Sequence, residues 1–374
     1  MIKENKVNVL ITGSRGFIGK NLVKHLENFS LHKVFTFNRG DDLNELVSNI
    51  NLSDVIFHFA GANRESSDQN FQKDNIDLSK FISKALESSR SRKIIIFTSS
   101  IQAELDNDYG KSKLRAEQHF KDITNQNIEI KILRLTNIFG KWSEPNYNSA
   151  IATFCSNINN NLPIQVEDPS RIMKLIYIDD LIFYFLEVIN NFDNKLPHFR
   201  VNPYEITLQE LVDKLYKFKQ KNYVTSTGVG IDRALYATFL SYKNPADFKY
   251  NLQTNEDNRG KFIEILKTKE SGQFSYFTAN PGITRGGHYH HTKNEKFLVV
   301  QGKAKFVFKN LIDDKIHAIE VSDENPEIVE TIPGWGHDIT NIGNKELIVF
   351  LWANEVFQKN YPDTYKVELK NEES

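Results

Sequence analysis

A single cysteine, Cys155, stands among 374 residues, so no intramolecular disulfide can form, as suits a reducing compartment. Its expected part is that of a small apolar packing residue. Long apolar runs are also missing. The richest segment, LIYIDDLIFYFLEVI at 175–189, is broken by Asp179 and Asp180 and falls short of the ~20 residues a bilayer span requires. The amino terminus, MIKENKVNVLITG, passes from charged residues straight into a strand, without the apolar core of a signal peptide. Nor is there excess charge: 47 basic against 48 acidic residues leave a net charge of −1, which removes the electrostatic case for nucleic acid or an anionic membrane. No repeat or low-complexity tract is found, and the terminal KNEES is expected to fray. These absences describe a cytoplasmic globular protein, and its length implies two domains.

What is present is most legible near the start. VNVLI (7–11) reads as a buried strand, and TGSRGFIGKNLVKHLENF follows with Gly13, Gly16 and Gly19 spaced three apart before a helical pattern. Glycines at such a strand-to-helix turn let a pyrophosphate approach the backbone and the helix N-terminus. The next strand, HKVFTFNRG, ends in Asn38-Arg39, where an acidic residue would suit the ribose of NAD. Arg39 and Arg15 instead suit a 2′-phosphate, so NADPH is the expected cofactor. Further strands, DVIFHFAGANR, KIIIFTSS and IEIKILRLTNIFG, alternate with helical stretches. That order predicts a Rossmann-type α/β fold, a doubly wound parallel sheet with its ligand at the strands' carboxyl ends.

Ser100 closes the KIIIFTSS strand, and Tyr109 and Lys113 lie four apart in YGKSK, on one helix face. The lysine is expected to lower the phenol's pKa from ~10, so that Tyr109 can pass a proton to a carbonyl oxygen held by Ser100 while hydride arrives at carbon.

With these blocks in view, residues 7 to about 240 resemble an extended short-chain dehydrogenase/reductase acting on nucleotide sugars, through TGSRGFIG, HFAG, FTSS, YGKSK and LRLTNIFG. The resemblance implies cofactor contacts at Gly13, Arg15, Gly16, Phe17, Ile18, Gly19, Arg39, Ala60, Tyr109 and Lys113, and a catalytic set of Ser100, Tyr109 and Lys113. It also places Asn137 and Arg171 on the substrate side, although Asn137 also reads as a turn residue. The family's 4,6-dehydratases carry an acidic pair after the catalytic serine or threonine. Ser100-Ile101-Gln102 lacks it, which leaves reductase or 4-epimerase.

Residues 212–250 read as two helical patches around TSTGVG, giving expected domains of 1–243 and 244–374. From Lys261 onward, short alternating strands (KFIEILKT, QFSYFTAN, EKFLVVQG, KAKFVFKN, ELIVFLWAN) predict an all-β sandwich or barrel. Within GGHYHHTKNEKFLVVQG (286–302), His288 and His290 share a strand face, and His291 has the opposite parity. With Glu295 and His337 they form a set suited to a divalent zinc, iron, manganese or nickel ion, zinc(II) being the first expectation. His58, in the HFAG strand, reads as structural. The spacing of Gly282, His288, His290, Glu295 and Gly302, followed by Pro333, Gly334, His337 and Asn341, resembles the two motifs of the cupin family, implying a metal-binding β-barrel.

The pairing of the two halves, with FGKWSEPNYNSAIATFC, LVDKLYKFKQ and HHTKNEKFLVV, resembles end to end the bifunctional enzymes of capsular-polysaccharide precursor synthesis on the route to UDP-N-acetyl-L-fucosamine. The resemblance implies that a UDP-linked 4-keto amino sugar is epimerised at C3 in the cupin and reduced at C4 with NADPH to UDP-2-acetamido-2,6-dideoxy-β-L-talose. It also implies a homodimer. A 4-epimerase that recycles bound NAD(P), with a non-catalytic cupin, is the alternative. A metal-dependent oxygenase and a sugar-sensing scaffold also stay open.

Overall fold

In the computed structural model the described residues are 6–28, 32–63, 70–147, 149–219, 223–224, 228–252, 254–257, 260–263, 267–268, 272–355 and 362–369. The KNEES tail, residues 225–227 of TSTGVG and residues 264–266 of KFIEILKT lie outside them. By compactness the chain forms two units: Met1–Ile138 with Lys174–Glu205, and Phe139–Met173 with Ile206–Ser374. Among the described residues no helix is long and apolar enough to cross a membrane.

The first unit is built on β1 (Asn8–Thr12), α1 (Phe17–Glu27), β2 (Lys33–Phe37), α2 (Leu43–Leu52), β3 (Val55–His58), α3 (Leu78–Glu87), β4 (Lys93–Ser100), α4 (Asp108–Lys121) and β5 (Ile128–Leu135). The strands form one sheet in the order β2–β1–β3–β4–β5, and every pairing is parallel. β3 and most of β4 are buried on both faces, which explains their near-continuous apolar sequence. Alternation sends Ile56 and Ile95 into a core with Leu46, Leu86 and Phe120, on α2, α3 and α4. Phe57 points the other way, 5.0 Å from the ring of Phe185 in the Ile178–Asn190 helix, against which α1 also packs. Helices therefore cover both faces. Strand order reverses at β1, and the carboxyl ends of β1 and β3, beside the glycine loop, are where such a sheet takes its ligand.

In the second unit, two five-stranded sheets carry most of the chain beyond Lys249. One runs Lys249–Asn251, Glu327–Glu330, Glu295–Gln301, Leu347–Ala353, Gln273–Ala279; the other runs Ile316–Ser322, Lys303–Asn310, Trp335–Asn341, Thr284–Tyr289, Tyr365–Lys366. All their pairings are antiparallel. Phe297 of the first sheet packs 5.5 Å from Phe306 of the second, so the inner faces share a core. Cys155 is buried in the Ala150–Asn159 helix, where burial pushes its thiol pKa upward.

Candidate active site and metal centre

The glycine loop is drawn tight. The Gly13 amide donates to the Phe37 carbonyl at 2.7 Å, and Gly16 donates back to the Gly13 carbonyl at 3.0 Å. Gly13 has φ +71°, and a Cβ there would stand 2.7 Å from the amide nitrogen of Ala60. A Cβ on Gly19 would lie 2.2 Å from the Gly13 carbonyl oxygen, so α1 can press onto the loop only without a side chain. No acidic residue occupies the first turn of α1, which leaves the helix N-terminus open to a phosphate. Phe17 and Ile18, opening that helix, are half-buried.

Asn38 links the end of β2 to this loop: its side-chain oxygen accepts from the Arg15 amide at 3.0 Å, and its amide donates to Ser14 Oγ at 2.9 Å. The Arg15 side chain is exposed. Arg39 is half exposed and donates to Asp74 at 2.6 Å. His58 spends both ring nitrogens on Thr12 (2.7 Å) and Ser79 (3.0 Å), and burial lowers it to about 3, so it is a neutral core residue.

Ser100 sits at the carboxyl end of β4, and Tyr109 opens α4. The helix starts there because Asn107 caps it, accepting from the Gly110 amide at 2.7 Å. The Tyr109 hydroxyl lies close enough to Ser100 for the serine to draw its pKa down, and the ring stands 5.8 Å from that of Phe71. Lys113, buried one turn on, donates to the Thr98 carbonyl at 3.1 Å, 6.0 Å from the Tyr109 ring. Burial pushes the Tyr109 phenol up to about 12, with Ser100 pulling the other way. This corrects the expectation of a lowered phenol: the ammonium is turned toward a backbone carbonyl, and loss of water dominates. Burial lowers Lys113 to about 8, while nearby Glu117 draws it up.

Asn75 and Glu117 carry weight here that no motif announced. Asn75 accepts from the Ala62 amide (2.8 Å) and donates to Ser112 (2.9 Å), tying the HFAGA turn to α4. Glu117, fully buried, accepts from Ser99 at 2.7 Å, from Arg134 at 2.8 and 2.7 Å, and from Lys121 at 3.0 Å. Of the two substrate-side candidates, Asn137 is exposed on the Asn137–Phe139 strand. Arg171 is exposed, its amide bonded to Asp168 and its carbonyl to Leu208.

The second cluster lies in the other unit. His288 and His337 are paired across antiparallel strands, with a bulge between Gly286 and His288, and Glu295 opens a strand of the opposite sheet. Donor atoms of His288, His290, Glu295 and His337 all lie within 4.8 Å of one another. His290 Nε2 is 3.1 Å, and His337 Nε2 3.4 Å, from the same Glu295 oxygen. Burial, then His337 and His290, lower His288 to about 4; burial lowers His337 as well. Burial alone would raise Glu295, but His290 and His337 hold it well below the usual carboxylate range. The pair of lowered imidazoles, His288 and His337, beside an ionised carboxylate offers the forms that bind a metal; His290 is instead drawn up by Glu295. Buried His337 has neither ring nitrogen in a hydrogen bond, which a bound ion would satisfy, so these residues fit a divalent cation. The His291 ring meets Tyr289 and Tyr365 edge-on, at 5.3 and 5.0 Å between centroids.

Known proteins resemble this chain in sequence and fold. A model of the "NAD dependent epimerase/dehydratase family" matches residues 9–202, and one of the "polysaccharide biosynthesis C-terminal domain" matches residues 255–365. The UDP-2-acetamido-2,6-β-L-arabino-hexul-4-ose reductase of Pseudomonas aeruginosa is 45% identical over 365 residues, covering 96% of this chain and 98% of its own. The crystal structure of the capsular polysaccharide assembling protein CapF from Staphylococcus aureus is 38% identical with a TM-score of 0.61, covering 97% of this chain and all of that one. A structure of CapF with the inhibitor 3-isopropenyl-tropolone is 36% identical, with a TM-score of 0.58 and the same coverage. The chain belongs to the NAD dependent epimerase/dehydratase family and, over nearly its whole length, to the branch that contains the Pseudomonas reductase and CapF.

Proposed function

We propose that the protein is a bifunctional UDP-sugar enzyme of capsular-polysaccharide precursor synthesis, with functional halves 1–243 and 244–374. The observation that carries this reading is Ser100 at the carboxyl end of a parallel strand, with Tyr109 and buried Lys113 on the helix that follows. It occurs in a chain similar over nearly its whole length to a reductase of a 4-keto sugar. NADPH supplies the hydride to C4. Ser100 and Tyr109 hold the ketone oxygen, and Tyr109 gives its proton to the alkoxide as that forms. A phenol pushed up to about 12 stays protonated at neutral pH, which is the form a reduction consumes. Lys113 orients the site from beneath, and Arg15 and Arg39 offer the 2′-phosphate its cationic partners, with Gly13, Gly16, Phe17, Ile18, Gly19 and Ala60 lining the cofactor cradle. Asn137 and Arg171 face the UDP-sugar.

The second half is a cupin barrel in this reading, and its proposed reaction is epimerisation at C3. A bound divalent ion, zinc(II) by preference, supplies Lewis acidity at the sugar's oxygens. His288, His290, Glu295 and His337 hold it between the two sheets. Epimerisation comes first, because reduction removes the carbonyl that makes the C3 hydrogen acidic; the product is UDP-2-acetamido-2,6-dideoxy-β-L-talose. The enzyme acts in the cytoplasm, as a homodimer.

The test is proton NMR of a UDP-4-keto amino sugar in deuterated buffer, with and without NADPH. Tyr109→Phe should stop NADPH oxidation and spare deuterium entry at C3; His288→Ala should stop deuterium entry. Equal loss of both in each variant would contradict the two-site division. An enzyme that consumes no stoichiometric NADPH would be a 4-epimerase instead.

A further inference from the structure

The histidine turn is held by a segment some seventy residues further on. The Asp363 carboxylate accepts from three successive amides: His291 at 2.9 Å, Thr292 at 2.8 Å and Lys293 at 2.8 Å. It also accepts the Thr292 hydroxyl at 2.9 Å. Its backbone carbonyl lies 2.5 Å from Nδ1 of His290. A carbonyl can only accept, so this bond puts the proton on Nδ1 and leaves Nε2 as the donor atom facing Glu295. Lys293 closes the turn from the other side, donating to the Pro362 carbonyl at 2.7 Å.

The same segment lies along the strand that carries His288. Lys366 and Tyr365 pair with His288 and Tyr289, and the Val367 amide donates to the Gly287 carbonyl at 3.0 Å. Asp363 itself has φ +38°, a left-handed conformation that a non-glycine residue keeps only when its surroundings require it. One aspartate thus meets every amide between His290 and Asn294, while its neighbours pair with the strand bearing His288.

We propose that Pro362–Leu369 is a latch that completes the metal centre, with Asp363 as its positioning residue: the carbonyl sets the tautomer of His290 and the carboxylate fixes the turn joining His290 to Glu295. The inference rests on the metal-site reading above.

The experiment measures zinc affinity and release in the full chain by competition with a chromophoric chelator, together with the visible spectrum of the cobalt(II)-loaded protein. The protein is compared with Asp363→Ala, Asp363→Asn and His288→Ala. Asp363→Ala should weaken zinc binding about 10- to 100-fold, the scale on which outer-shell partners act, and alter the cobalt spectrum, while NADPH binding stays as it was. Asp363→Asn keeps an acceptor of the same shape and should recover part of the loss. Zinc held as tightly and released as slowly by Asp363→Ala as by the unaltered chain, with binding lost only in His288→Ala, would overturn the latch and leave the metal site standing. An unaltered chain that binds no zinc would overturn both.

Discussion

Glu117→Gln tests how α4, the helix that carries Tyr109 and Lys113, is held. The carboxylate is fully buried, and burial alone would raise its pKa; Arg134, Ser99 and Lys121 outweigh that and hold it at about 2, against an ordinary 4.5. Since each pKa unit is ~1.4 kcal/mol, the ionised carboxylate contributes about 3 kcal/mol of stability at neutral pH. The group's folded pKa is depressed, so the contribution is complete above pH 4.5 and is lost as pH falls toward about 2. More than half is gone by about pH 3. Calorimetry at pH 7 should show the variant's first-unit transition lowered by about 6–12 °C, at 2–4 °C per kcal/mol for a unit of this size. Repeated at pH 3.5, the gap between protein and variant should narrow. Turnover should fall too, because Glu117 and Arg134 bracket Ser100 through Ser99 before it and Glu104 after it. A gap independent of pH, or no gap at pH 7, would refute the assignment of a buried counter-ion.

Three further perturbations follow from the same geometry. Arg39→Ala removes a cation proposed for the 2′-phosphate, worth ~2 kcal/mol as a charge-assisted bond, so NADPH affinity should fall about 30-fold in a fluorescence titration while NADH affinity holds. Gly19→Ala places a Cβ 2.2 Å from the Gly13 carbonyl; NADPH binding should be lost, and unchanged affinity would show that the loop can yield. Gly334→Ala meets two penalties, a φ of +85° and a Cβ 2.9 Å from the Trp142 indole nitrogen. It should destabilise the second unit by at least ~1 kcal/mol, and because the Gly334 amide donates to the His290 carbonyl at 3.0 Å, it should also weaken zinc binding.

Much of the molecule was legible along the chain. Apolar runs ending in small residues marked β1, β3 and β4, because a parallel strand covered on both faces has no polar side to show. Strand parity put His288 and His290 on one face, and the structure brings their donor atoms together with those of Glu295 and His337. Helical spacing put Tyr109 and Lys113 on one face of α4.

The sequence by itself therefore determined the period of each element and the spacing of its motifs, including His288, His290 and Glu295, all of which depend on neighbours a few residues apart. Only the tertiary structure decided the rest. It turned the Lys113 ammonium toward Thr98, so burial and not a nearby cation governs the Tyr109 phenol. It brought Arg134 to Glu117 and Asp363 to His290, 17 and 73 residues apart in the chain. Desolvation and long-range pairing arise only when distant segments close on one another, and no local spacing encodes them.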